Sequence, residues 1–108
     1  PTMTTPTNIH LSVRRWYDRT YGNSYFAARV YADGVEIARL PFQYGYGSQP
    51  DATALVDSRD ALPVLATAKH SAYLGSACSE AGVAFTEDDV DGCLKRDVQA
   101  HGKAAVAA

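Results

Sequence analysis

Six of the seven tyrosines lie between Tyr17 and Tyr46, interleaved with Arg14, Arg15, Arg19, Arg29 and Arg39. Rings and guanidinium groups on one sheet face offer two kinds of chemistry. Unpaired bases stack on such rings while the guanidinium groups hold phosphates. Alternatively, the same side chains anchor a protein interface, where Tyr, Trp and Arg concentrate binding energy. The candidate binding residues on this pattern are Arg14, Trp16, Tyr25, Arg29, Tyr31, Tyr44 and Tyr46. A plainer reading stands beside both: tyrosine and arginine are good sheet residues whose rings pair across strands and cover arginine stems. The plainer reading ranks first, protein contact second and single-stranded nucleic acid third, since neither an RNP-like nor a Gly-Xaa-Xaa-Gly signature is present.

The other chemistry-bearing residues point away from catalysis and metal binding. His10, His70 and His101 are far apart, and the chain contains no Gly-Xaa-Ser-Xaa-Gly or His-Glu-Xaa-Xaa-His motif. No catalytic residue, metal ligand or cofactor is expected, although a triad assembled only by the fold stays open. Tyr44-Gly45-Tyr46-Gly47 precedes an expected helix, but it has two glycines and no following lysine, so it reads as a structural turn and not a phosphate loop. Glu87, Asp88, Asp89 and Asp91 lack the ligand spacing of a calcium loop and read as a solvated cap. Cys78 and Cys93 have no CxxC or Cys/His context, which favours two reduced thiols.

A length of 108 residues with 46% apolar and 20% charged side chains fits one globular domain, stable without a disulfide or metal. No run reaches the ~18 apolar residues of a membrane span, and residues 1 to 8 lack the basic flank and apolar core of a signal peptide, so a cytosolic protein is expected. The net charge of −2 is unevenly spread. Through residue 48, five arginines face three carboxylates, whereas from residue 49 onward five basic residues face nine acidic ones. Five dispersed arginines fall short of the dense patch that drives non-specific phosphate binding.

These residues must be positioned by an antiparallel meander over residues 9 to 47. Ile9, Leu11 and Val13 alternate with polar neighbours, as in a strand with one buried face. A turn over residues 18 to 23 leads to a second strand over 24 to 32, and Asp33-Gly34 predicts a two-residue type I′ hairpin. In the third strand the apolar parity changes between Ile37 and Leu40, which calls for a bulge near Arg39 to Pro41, on an edge strand because Pro41 lacks an amide donor. A helix follows with Ser48 as N-cap, Asp51 at the capping-box position and an inward stripe of Ala52, Leu55, Val56, Arg59 and Leu62, stopped by Pro63. A second helix over 71 to 81 buries Ala77, Cys78 and Ala81 and ends at Gly82. Residues 83 to 85 read as extended. Between 86 and 98 a short capped helix competes with an edge strand over 90 to 95, and the strand is preferred. The expected fold class is therefore α+β: a three-stranded antiparallel β-meander, with a candidate fourth strand from the C-terminal region, packed against about two helices. One domain spans 9 to 101, with disordered tails at 1 to 8 and 102 to 108.

At Arg15-Trp16-Tyr17, Tyr21-Gly22-Asn23-Ser24-Tyr25, Phe42-Gln43-Tyr44-Gly45-Tyr46-Gly47 and Lys95-Arg96-Asp97, the chain resembles small proteins encoded by tailed bacteriophages, over residues 9 to 98. The resemblance implies a phage gene product acting in the cytoplasm of an infected bacterium, and it carries over no active site. Small phage proteins without catalytic motifs often bind and block or redirect a host or phage component. The leading expectation is therefore a non-enzymatic binding protein whose partner is another protein or a second copy of itself. Single-stranded nucleic-acid binding by the Tyr/Arg face is the alternative, and no membrane or metal is involved.

Overall fold

The computed structural model describes residues 6–59, 61–67 and 71–103; of the tails expected at 1–8 and 102–108, residues 1–5 and 104–108 lie outside them, as does His70. Alternating apolar residues and the Asp33-Gly34 turn produce the meander: β1 (Asn8–Asp18), β2 (Asn23–Ala32) and β3 (Val35–Tyr44). Asp33 (φ 50°) and Gly34 (φ 84°) both take positive φ, as a type I′ turn demands. The Asp33 carboxylate also accepts the Thr7 and Asn8 amides at 3.0 and 2.9 Å, so the hairpin turn fastens the start of β1 as well. The chain is thus engaged before Ile9, where the tail was expected to end.

A fourth strand, β4 (Ala84–Val90), pairs parallel with β1, giving a mixed sheet of order β3-β2-β1-β4 in an α+β fold. The parity change in β3 is met by two bulges: Ile37 is the extra residue between the Tyr31↔Glu36 and Val30↔Ala38 pairs, and Pro41–Phe42 carries a second between Leu40 and Gln43. Both lie on the edge strand, where an interrupted ladder is tolerated.

One sheet face presents Ile9, Leu11, Val13, Phe26, Ala28, Val30 and Leu40, all fully buried. Against it pack α1 (Gln49–Ser58), a 3₁₀ turn (Pro63–Thr67) and α2 (Leu74–Ala81), which contribute Leu55, Leu62, Leu65, Leu74, Ala77 and Cys78. The inward stripe of α1 differs from the expected one. Pro50, Ala54, Leu55 and Ser58 are buried, whereas Val56 is 66% exposed and Arg59 ends the helix. With Pro50 packed inward, the positions four and eight residues later follow it, and Val56 is turned outward. Ser48 takes the N-cap position without a side-chain cap bond, and Asp51 faces β4 instead of closing a capping box. Gly82 ends α2 in the left-handed region (φ 77°) and lets the Val83 amide reach Cys78 O at 2.8 Å.

The largest corrections fall after residue 85. The acidic run 87–89 is not a solvated cap; it is the body of β4. The strand comes earlier than the expected 90 to 95: β4 ends at Val90, residues 91 to 94 are not strand, and α3 (Lys95–His101) begins at Lys95. This third helix lies on the opposite sheet face against β1, β2 and β3, and both its Val98 and Ala27 of β2 are fully buried. Gly102, expected in the tail, is buried there: a Cβ on it would meet Phe42 N at 2.7 Å and Leu40 O at 2.9 Å. The sheet is therefore covered on one face by α1 and α2 and across the middle of the other by α3.

Candidate functional site

Alternation along the strands puts Tyr25, Arg29 and Tyr31 of β2 on the α3 face with His10, Ser12, Arg14 and Trp16 of β1. Six of the seven candidate residues share this side of the sheet, Tyr46 lying in the loop after β3 where it lines a hollow with Arg15, and together they form two groups. At the turn end, Trp16 meets Tyr25 at 5.5 Å between ring centroids, and Tyr25 stacks on Phe42 at 5.2 Å. Tyr44 and Tyr46 extend the cluster edge-on at 5.8 and 6.2 Å. The outer members are open to solvent, Tyr44 by 57% and Tyr46 by 66%. Lys95 of α3 holds its Nζ 5.2 Å from the Trp16 ring centroid, a favourable cation–π contact.

Arg14, Arg29 and Tyr31 lie toward the other end, the arginines in a polar network and the Tyr31 ring 6.3 Å from the His10 ring. Arg14 Nη1 donates to Asp88, Ser12 Oγ donates to Asp88 Oδ1 at 2.9 Å, and His10 Nε2 donates to Asp88 Oδ2 at 2.6 Å. Burial alone would raise Asp88, but these three donors outweigh it and hold its carboxyl at about 2. Arg29 and Arg39 stand directly opposite each other, and Glu36 relieves that pairing of like charges. Arg39 Nη2 bonds both Glu36 oxygens at 2.6 and 2.8 Å, while Arg29 Nε approaches Glu36 at 3.8 Å and donates to His101 O at 2.9 Å. His101 Nε2 donates to Ser12 O at 3.0 Å; burial, with Arg29 and Arg14 nearby, lowers its pKa.

Arg15 points to the α1 side. Its Nε and Nη2 reach the two oxygens of Asp89 at 2.7 Å each, and Nη2 also donates to Gly47 O at 2.8 Å. Hydrogen bonding to Asp89 raises its pKa, fixing the positive charge. Four of the five meander arginines are thus tied to carboxylates of the same chain; among the described residues Arg19 alone has no such partner. Below Arg15, the carboxyls of Asp51 of α1 and Glu87 of β4 face each other, and burial raises the pKa of both. Burial, then Asp51 and Asp89, push Glu87 up to about 7.

His10 also brings Nδ1 to within 2.7 Å of the Thr86 hydroxyl, which makes a Thr86–His10–Asp88 line across the β1–β4 edge. Ser12 does not join it as a nucleophile, because its hydroxyl donates to Asp88 and not to the imidazole. These bonds fasten β4 to β1. Among the described residues, no group of three or more His, Cys, Asp or Glu is placed to hold a metal ion, and no helix is long and apolar enough to cross a membrane. Both cysteines are unpaired, with Cys78 buried.

Concave surface gathers at the Trp16 end. One open hollow of about 510 Å³ lies between Tyr17, Ser24, Tyr46, Asp91 and Gly92, and a second of about 450 Å³ lies between Tyr17, Arg19, Thr20 and Leu94; Trp16 lines both. Tyr17 is 55% exposed and Leu94 54%. Tyr17, Phe42, Leu94 and Lys95 were not among the candidate binding residues read from the sequence, and Asp91 was read there as part of a solvated cap. The signal for Phe42 was the parity change in β3; Asp91, Leu94 and Lys95 are brought in by the β4–α3 connection, which carries no local signature. No protein-family model matches the chain, nor does any curated protein or solved structure, so what this end of the sheet does has to be read from its own geometry.

Proposed function

We propose that this is a small non-enzymatic binding protein that acts through protein–protein contacts at the Trp16 end of the sheet, as a phage gene product in the cytoplasm of an infected bacterium. One observation carries the reading: Arg14, Arg15, Arg29 and Arg39 are paired inside the chain while Tyr17, Tyr44, Tyr46 and Leu94 stay exposed beside two hollows. Arginines already neutralised by carboxylates release few counterions from a nucleic acid, so they supply little of the affinity on which single-strand binding depends. Exposed aromatic side chains around a concavity retain the apolar area and the shape that protein contacts use.

The test is capture from a bacterial host lysate on immobilised wild type, Tyr17→Ala and Tyr46→Ala, with far-UV circular dichroism to verify the fold. A specific partner is expected on wild type and its loss on both variants. Equal capture by all three, or none by wild type, sinks the proposal. Fluorescence anisotropy of a labelled oligothymidine at low salt separates the alternative: a rise that fades with added salt would favour the nucleic-acid reading.

A further inference from the structure

The hollow beside Tyr46 has a chemical character beyond being aromatic. Its one cation, Arg15, is consumed by bidentate contact with Asp89 and by a third bond to Gly47 O. Asp91, on the rim, has only a 3.9 Å approach to Arg15 Nε, and its side chain is 87% exposed. The wall therefore combines exposed tyrosines with one carboxylate, Asp91, whose ion pairing among the described residues is limited to that long approach to Arg15. An anionic group entering it would be repelled by Asp91 and find Arg15 already occupied. A planar guanidinium suits it on both counts, since it stacks on aromatic rings and pairs with a carboxylate. The chain already shows a cation settling at this end, in Lys95 over Trp16. At about 510 Å³ the hollow has room for a long side chain and adjoining backbone.

We infer that the hollow receives an arginine side chain of the partner protein, with Asp91 as the ion-pair acceptor and Tyr17 and Tyr46 as the flanking rings. This deepens the protein-binding reading and rests on it.

Trp16 is the only tryptophan, so its emission reports on the hollow directly. The full chain is titrated with acetyl-Gly-Arg-Gly-Arg-Gly-amide and with the same peptide carrying Gln, and then Glu, in place of Arg. A saturable change is expected with the Arg peptide alone. Asp91→Asn is expected to weaken it about fivefold, the effect of an exposed ion pair, and Asp91→Glu to restore it. Equal response to the Gln peptide, preference for the Glu peptide, or unchanged affinity in Asp91→Asn overturns the inference. Lysate capture keeps the two readings apart. A partner that needs Tyr46 but tolerates both Asp91→Asn and excess Arg peptide overturns the arginine pocket and leaves protein binding standing. No captured partner, with the Arg peptide still bound through Asp91, sinks the protein-binding reading and retains the cation preference.

Discussion

Replacing Glu87 with Gln should stabilise the protein at pH 8 and leave it nearly unchanged at pH 4.5. Glu87 faces Asp51 of α1 and Asp89 of its own strand, and the cation that opposes them, Arg15 of β1, is committed to Asp89. Its carboxyl is raised from 4.5 to about 7 by burial first and by Asp51 and Asp89 next. Because the folded state holds the proton more tightly than the unfolded one, stability is greatest below pH 4.5 and falls as pH rises through about 7, above which the penalty is complete. At about 1.4 kcal/mol per pH unit the gap corresponds to roughly 3 kcal/mol, and solvent screening on an exposed edge strand reduces this to about 1 kcal/mol. Gln keeps a donor toward Asp51 and removes the charge. Urea melts of wild type and Glu87→Gln across pH 4.5 to 8 should converge at the acid end and separate to about 1 kcal/mol at pH 8, a melting-temperature gain of roughly 4–8 °C. Parallel stability curves, or a less stable variant at pH 8, would refute the facing of the Asp51 and Glu87 carboxyls between α1 and β4.

Three further substitutions or reactions probe the rest of the structure. Gly102→Ala puts a methyl group within 2.7–2.9 Å of β3 backbone and Ala27, atoms that cannot swing aside, and should cost about 1–3 kcal/mol in chemical denaturation; a neutral result would mean α3 does not seat there. Asp88→Asn leaves Arg14 and His10 without their carboxylate. Because Asp88 is held at about 2, its contribution is present above 3.8 and lost as pH falls toward 2. The variant should be about 1 kcal/mol less stable at pH 7 and lack that acid-limb component, and an unchanged acid limb would contradict the assignment. Thiol titration of the native protein at pH 8 should modify Cys93 quickly and Cys78 only on unfolding, since burial pushes the Cys78 thiol up to about 11; two fast thiols would refute its burial.

The meander is legible because its signals are local. Ile9, Leu11 and Val13 declare their face by alternation, Asp33-Gly34 declares the turn by its tolerance of positive φ, and Gly82 declares a helix end. The acidic strand is not legible in that way. Glu87, Asp88 and Asp89 read as solvent-seeking until the parallel register sets Asp88 beside Ser12 and Asp89 beside Val13, within reach of Arg14 and Arg15 more than 70 positions earlier. Likewise α3 buries only Val98 among its seven residues, too little for a 3.6-residue pattern. Its docking depends on two small residues, Ala27 in the sheet and Gly102 after the helix. For the candidate site, the residue types were visible in order, but the division of Trp16, Tyr25, Tyr44 and Tyr46 from Arg14, Arg29 and Tyr31 follows from pairing across strands that no local window contains.

The uneven charge of the sequence acquires a different meaning once β4 is placed. A basic meander followed by an acidic half suggests two oppositely charged faces, and hence an electrostatic partner. In the fold, much of that asymmetry is spent internally: Asp88 and Asp89 take Arg14 and Arg15, while Glu36 takes Arg39 and approaches Arg29. Such half-exposed pairs add little to stability one by one, but they fix which strand lies beside β1, because an apolar β4 would carry no sign to match. The same pairing withdraws four guanidinium groups from any external phosphate. What remains for recognition is the margin those pairs do not reach, where Asp91 follows the end of β4 beside exposed tyrosines. The device that holds the acidic strand in the sheet is therefore also what leaves the Trp16 end aromatic and locally acidic, a character that suits the proposed protein partner carrying an arginine better than a nucleic-acid backbone.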